Sequence, residues 1–151
     1  MKTVHVECLP DEALIKKLGF TKKSVIHHGG KSRVFRQIQL SKNQLALVDE
    51  DPSSAKTTYE QGLKLVGISQ GVKLYSDKSG NKIIVLQGKL EDWIIATCKK
   101  AGIKMASFGL PDKPNDLHSV INQRIDKLDG LIDYLLKSKN IAIKQLKDWL
   151  S

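Results

Sequence analysis

The sequence predicts an α/β domain, with a central, mostly parallel sheet flanked by helices, an appended hairpin or meander, and helices at the C-terminal end. Three observations lead there. Short runs of β-branched and aliphatic residues alternate through the first half with segments whose apolar residues recur at helical spacing. Turn signals rich in Gly, Pro and Asn separate the runs. A long Leu/Ile stripe at periods of three and four fills the C-terminal part.

Val4-His5-Val6 reads as a first strand ending at Glu7. Pro10 follows, and Leu14, Ile15 and Leu18 then mark a helix closed by Gly19. Ser24 to His28 is a second strand, broken by Gly29-Gly30, and Val34, Phe35 and Ile38 mark a second helix. Leu45 to Val48 is a third strand that delivers Asp49. Strand-helix-strand-helix-strand calls for parallel pairing through right-handed crossovers.

Beyond Asp51 the spacing predicts a helix over Ser54 to Leu63. Three strands follow between Leu65 and Gln87, separated by Gln70-Gly71 and Ser79-Gly80-Asn81, which suits an antiparallel hairpin or meander. Leu90 to Ala101 is a helix closed by Gly102. Leu117 to Leu136 reads as one amphipathic helix with a bend at Gly130, and Ile141 to Leu150 as a last one. The whole is expected to be a single domain: a motif-bearing core over 1–64, strands and a helix over 65–110, and C-terminal helices over 111–151.

Composition narrows the function classes. With 40% hydrophobic residues in 151, the chain can build one core. Its longest aliphatic run, Ile83 to Leu86, is far short of the ~20 residues a membrane span requires. No signal-peptide apolar region opens the chain, so a cytoplasmic protein without membrane contact is expected. Cys8 and Cys98 are too few and too far apart for a disulfide framework or a zinc knuckle. The net charge is +9, and seven basic residues with no acidic one lie between Lys16 and Arg36. That field favours a polyanion, nucleic acid first and an anionic membrane surface second, although lysines also serve solubility alone.

Aromatic residues make up only 5%, which leaves little platform for stacking bases and favours backbone-directed binding. Trp93 and Trp149 sit among aliphatic neighbours and read as core. The Leu117 to Leu136 stripe is core in a monomer, or a face for a homodimer or another protein partner.

The most specific stretch is Leu45-Ala46-Leu47-Val48-Asp49-Glu50-Asp51-Pro52, an apolar run ending in three carboxylates. Strand alternation would point Asp49 and Asp51 the same way, and like charges on one face repel unless a cation sits between them. Oxygen ligands alone favour Mg²⁺ or Mn²⁺. Glu7 and Asp11, in the pattern Val-Glu-x-x-x-Asp, stand at the first strand-to-helix junction. Ligands of open α/β sheets gather at the carboxyl ends of the strands, so Glu7, Asp11, Asp49 and Asp51 are expected to converge there as metal ligands. Glu91, opening a later helix, is a further metal candidate, or a residue that complements the helix dipole.

Gly29-Gly30-Lys31-Ser32-Arg33 lacks the P-loop spacing, which excludes a nucleotide hydrolase of that type. What remains is a helix-opening loop whose N–H groups, with Lys31 and Arg33, suit a nucleic-acid phosphate; a tight turn with two solvated charges is the plainer alternative. Lys31, next to that phosphate, is also a catalytic candidate. His27 and His28 can be read as a base or ligand, or as a core histidine.

The strand-one glutamate Glu7 followed by Asp11, the glycine pair Gly29-Gly30, and Val48-Asp49-Glu50-Asp51 together resemble the three signatures of the Toprim domain. Such domains occur in topoisomerases, bacterial primases, OLD-family nucleases and small stand-alone proteins. The resemblance covers roughly Met1 to Pro52. It implies a Rossmann-like Toprim fold, Glu7 as general acid/base or metal ligand, and Asp49 and Asp51 as metal ligands. Glu7 with Asp11 is similar to the Glu-x-x-x-Asp pair of the OLD-type nucleases, which serves metal binding. Cys8 departs from the pattern, because many Toprim domains carry glycine there. No tyrosine stands in a topoisomerase context, which argues against cleavage with rejoining. The resemblance therefore implies a Mg²⁺- or Mn²⁺-dependent nuclease, or the same fold as a non-catalytic metal- or nucleic-acid-binding module.

Overall fold

The computed structural model describes residues 2–151. Among these residues six strands form one sheet: β1 (Val4–Val6), β2 (Val25–His27), β3 (Leu45–Asp49), β4 (Lys64–Ser69), β5 (Val72–Ser76) and β6 (Lys82–Leu86), in the order β2-β1-β3-β6-β5-β4. The first four positions pair in parallel, and β5 and β4 continue the sheet antiparallel. The expected meander is present, yet its last strand is no appendage, because β6 lies inside the sheet beside β3.

Among the described residues the seven α-helices are α1 (Leu9–Lys17), α2 (Lys31–Gln39), α3 (Thr58–Gln61), α4 (Leu90–Lys100), α5 (Pro114–Val120), α6 (Ile125–Lys137) and α7 (Ile141–Leu150). Among the described residues no helix is long and apolar enough to cross a membrane. α1 shows why its residues make a helix. Pro10 sits in the first turn, where its missing N–H is harmless; Glu12 faces the positive end of the dipole, and Lys16 and Lys17 the negative end.

The sheet separates two apolar layers because strand side chains alternate. Val4, Val6, Leu45, Leu47, Ile84 and Leu86 face the larger layer, built with α1, α4, α5, α6 and α7. Ala46, Val48, Ile83 and Val85 face the smaller one, covered by Val34, Phe35 and Ile38 of α2. Burial on both faces explains why β3 reads as an unbroken apolar run, while β1 keeps one buried polar residue, His5, between two valines. Trp93 is core as expected, its indole N–H donating to the Gln70 carbonyl at 3.0 Å. Trp149 is half-buried and lies over Gly67, where a Cβ would stand 3.3 Å from the ring.

Two expected helices need correction. Of Ser54 to Leu63 only Thr58–Gln61 is helical, opened by a capping box between Thr57 and Glu60. Residues 52–58 are exposed, so no apolar face rewards a longer helix. The single helix over Leu117 to Leu136 is two helices joined by a 3₁₀ turn, Ile121–Gln123, and Gly130 lies inside the continuous helix α6. The break falls at Arg124, which leaves helical dihedrals and donates from its guanidinium to the Gly109 carbonyl at 2.9 Å. Leu117, Ile121, Leu128 and Leu131 still share one core, so the stripe was real and only its continuity was not.

Candidate carboxylate site at the strand ends

Parallel pairing of β2, β1 and β3 brings three chain segments to one edge of the sheet. Glu7 leaves β1 and its Oε2 accepts the backbone N–H of Asp49 at 2.7 Å. Asp49, the last residue of β3, accepts the N–H of Leu90 on Oδ1 at 3.0 Å and so caps the first turn of α4 from outside. Each carboxylate thus gives one oxygen to a fixed backbone donor. Glu7 Oε1 and Asp49 Oδ2 stay outside these bonds.

Asp11 lies in the first turn of α1 and is fully buried. Its Oδ2 accepts the Cys8 thiol at 3.1 Å, and its Oδ1 is buried without a hydrogen-bond partner. Such an orphan oxygen is costly for a folded chain.

The electrostatics follow from this crowding. Burial, then the neighbouring Glu7 and Glu91 carboxylates, push Asp49 up to about 7. Burial raises Glu7, against the opposing help of the Asp49 N–H and the Lys31 ammonium. Burial and the Asp49 charge hold Asp11 well above the ordinary aspartate range. Three carboxyl groups on one edge therefore resist ionising together.

Asp51 is placed differently from the expectation. β3 ends at Asp49 and Asp51 has φ 43°, in the left-handed region, so strand alternation does not relate the two aspartates. The hydroxyls of Ser53 and Ser54 donate to the Asp51 carboxylate and hold it below its usual range. It still contributes to the field that raises Glu7. Glu91, buried at the start of α4, is 3.1 Å from Nδ1 of the exposed His118.

The Gly29-Gly30 loop opens α2, with Gly29 at φ 81° and the Gly30 carbonyl accepting the Val34 N–H. Lys31 leans over the carboxylate edge, where it lowers Glu7, Asp49 and Asp51; its ammonium donates to the Glu50 carbonyl at 2.9 Å and stands 3.8 Å from Glu60. Arg33 is exposed beside the loop, its guanidinium close to Gly29. Lys56 and Lys89 reach the same edge, acting on Glu50 and Asp51.

Sequence reasoning missed His5. It is buried in β1, stacked on His28, with Nδ1 2.8 Å from His28 Nε2 and Nε2 bonded to the Gln44 side-chain oxygen. The Gln44 side-chain oxygen accepts from Nε2 of His5, and one N–H is shared between His5 Nδ1 and His28 Nε2. The available signal was a polar residue inside a β-branched run. His27 is exposed.

Among the described residues no group of three or more His, Cys, Asp and Glu side chains is arranged to hold a metal ion. A hydrated Mg²⁺ does not require such a cage, because it commonly takes one or two carboxylates and keeps its waters. The donor chemistry fits that ion: oxygen only, two carboxylates each with one uncommitted oxygen, and an orphan Asp11 oxygen behind them. Fold and site define a mixed α/β protein with a half-buried acidic cluster at the strand ends and a basic surround. Comparison with protein-family models, with curated proteins and with solved structures gives no match.

Proposed function

We propose that this chain is a Mg²⁺- or Mn²⁺-dependent phosphoryl-transfer protein of the Toprim kind its motifs resemble, and that it cleaves phosphodiesters in DNA or RNA. The observation that carries the reading is the pairing of Glu7 and Asp49. Two carboxylates from neighbouring strand ends are fixed by backbone N–H donors and raised by burial, and a cation would relieve both. A bound divalent ion supplies Lewis-acid polarisation of the phosphate and an activated water. Glu7 and Asp49 would hold it, with Asp11 behind them. Glu7 would also exchange a proton with the attacking or leaving oxygen. Lys31 and the Gly29-Gly30 loop, with Arg33, would take the neighbouring phosphate.

A second reading has its own support. Lys31 is already held by the Glu50 carbonyl and Glu60, and Asp51 by Ser53 and Ser54, an arrangement suited to a binding module without turnover.

Purified protein is incubated with plasmid, single-stranded DNA and RNA, in Mn²⁺, Mg²⁺ or EDTA, beside Asp49→Ala. Cleavage that needs the cation and disappears in the variant supports the nuclease. Salt-dependent binding without cleavage supports the module, and equal cleavage by both proteins refutes the assignment of activity to this site.

A further inference from the structure

A cleft of about 610 Å³ opens between the Gln70-Gly71 turn, the Gln87-Gly88 segment, one face of α4 and the start of α7. Its size and its mainly apolar wall are those of a small-molecule site. Trp93 forms part of the wall and exposed Ala96 stands on the α4 side. Three primary amides, Gln70, Gln87 and Asn140, ring this apolar surface. Asn140 Oδ1 is used by the N–H groups of Ala142 and Ile143, which leaves its NH₂ group as a donor. Lys100 and Lys139 stand at the rim, and neither forms an ion pair among the described residues. Asp92, the one carboxylate of the lining, is committed to the Lys89 N–H at 2.9 Å.

Backbone hydrogen bonds tie one wall of the cleft to the carboxylate segments. Gly88 lines it, while the Gly88 carbonyl accepts the N–H groups of Glu50 and Asp51 at 3.0 and 3.4 Å, and two residues further on Leu90 donates to Asp49. The other large hollow, about 700 Å³, is lined by Asp77 and Ser79 of the β5–β6 turn, at the opposite edge of the sheet.

We propose that this cleft is a nucleotide subsite, holding a base against the Trp93 and Ala96 wall within reach of the amides, with its phosphate at Lys100 and Lys139. Amides that donate and accept match the mixed edge of a nucleobase, and two unpaired ammonium groups match a phosphate. The inference rests on the phosphodiester reading for why a nucleotide would lie there, but binding in the cleft needs no metal.

The test uses the full chain carrying Trp149→Phe, so that Trp93 is the only tryptophan, in EDTA. Its fluorescence is titrated with nucleoside monophosphates, a short single-stranded oligonucleotide, ribose 5-phosphate and inorganic phosphate. Saturable change with nucleotides, weakened ~10-fold by Ala96→Phe and by Lys100→Glu with Lys139→Glu, is the expected result. Saturation by monophosphates assigns a free nucleotide, and saturation by the oligonucleotide alone assigns a unit of a strand. Equal response to phosphate and ribose 5-phosphate, no saturable response, or indifference to both sets of variants overturns the subsite. The charge variants keep the test sound if Ala96→Phe fails to fold by circular dichroism. Nucleotide binding without metal-dependent cleavage would leave the subsite standing and remove the nuclease; cleavage with no nucleotide response would do the reverse.

Discussion

Asp49→Asn should stabilise the protein, and only at higher pH. In the unfolded chain this aspartate titrates near 3.8, whereas in the fold burial and the Glu7 and Glu91 charges raise it to about 7. Between those values the folded state binds more protons than the unfolded state, so stability falls as pH rises. The penalty is absent below about pH 4 and complete above about pH 7. A displacement of roughly three pH units corresponds to about 4 kcal/mol at full strength. Asp49 is partly reached by solvent, so about half of that, ~2 kcal/mol, is the expected gain. Asparagine retains an oxygen for the Leu90 N–H and cannot ionise, and its neutrality also lowers the repulsion on Asp11. Urea unfolding in EDTA at pH 4, 6 and 8 measures this; the variant should match wild type at pH 4 and exceed it at pH 8, with a Tm rise of ~4–8 °C for a chain of this size. A difference independent of pH, or a variant less stable at pH 8, would refute the account of the cluster.

Mg²⁺ or Mn²⁺ at millimolar concentration should raise the Tm of the wild type at pH 8 and leave Asp49→Asn unmoved, because an ion that binds only the fold stabilises by mass action. Lys31→Met removes the cation that lowers Glu7 and Asp49, so the decline of stability with rising pH should extend to higher pH than in the wild type in the same urea titration. Asn81→Ala should cost about 3 kcal/mol or more at every pH. Its buried amide serves the carbonyls of Ile38 and Ser41 and the N–H of Gln44, and alanine strands all three. Chemical denaturation checks it, and a cost under ~1 kcal/mol would show that water replaces the amide.

Much of this was legible in the sequence because it depends on local pattern. Leu45 to Val48 is buried on both faces, and an unbroken apolar run is what such a strand requires; the two valines of β1 carried the same signal around His5. The place of β6 was not legible, since the order of strands in a sheet is decided by contacts between distant segments. Arg124, not Gly130, breaks the C-terminal stripe, through a bond to Gly109 that no periodicity encodes. At the site, Glu7 and Asp49 could be placed together because strand ends are predictable. Asp51 could not be placed, because two serine hydroxyls and a left-handed residue turn the chain there. His5 was hidden by looking like strand filler, and its partners Gln44 and His28 lie far along the chain.

The acidity of the strand edge is something the fold itself does not need. Glu7 Oε2 accepts the Asp49 N–H and Asp49 Oδ1 accepts the Leu90 N–H, and a neutral glutamine or asparagine oxygen accepts such bonds as well. Charge adds only repulsion and desolvation, and the ammonium of Lys31, which acts on both Glu7 and Asp49, leaves them still raised. A buried acidic cluster that lowers stability fits a role in which either a proton or a cation occupies it, and raised carboxyl groups gather at functional sites for that reason. The two roles separate by experiment. A cluster serving as a proton store should give a cleavage or binding profile that turns over near pH 7 without responding to divalent ions. A cluster serving as a cation site should lose its stability penalty when Mg²⁺ is added at pH 8, and the wild type should then approach Asp49→Asn.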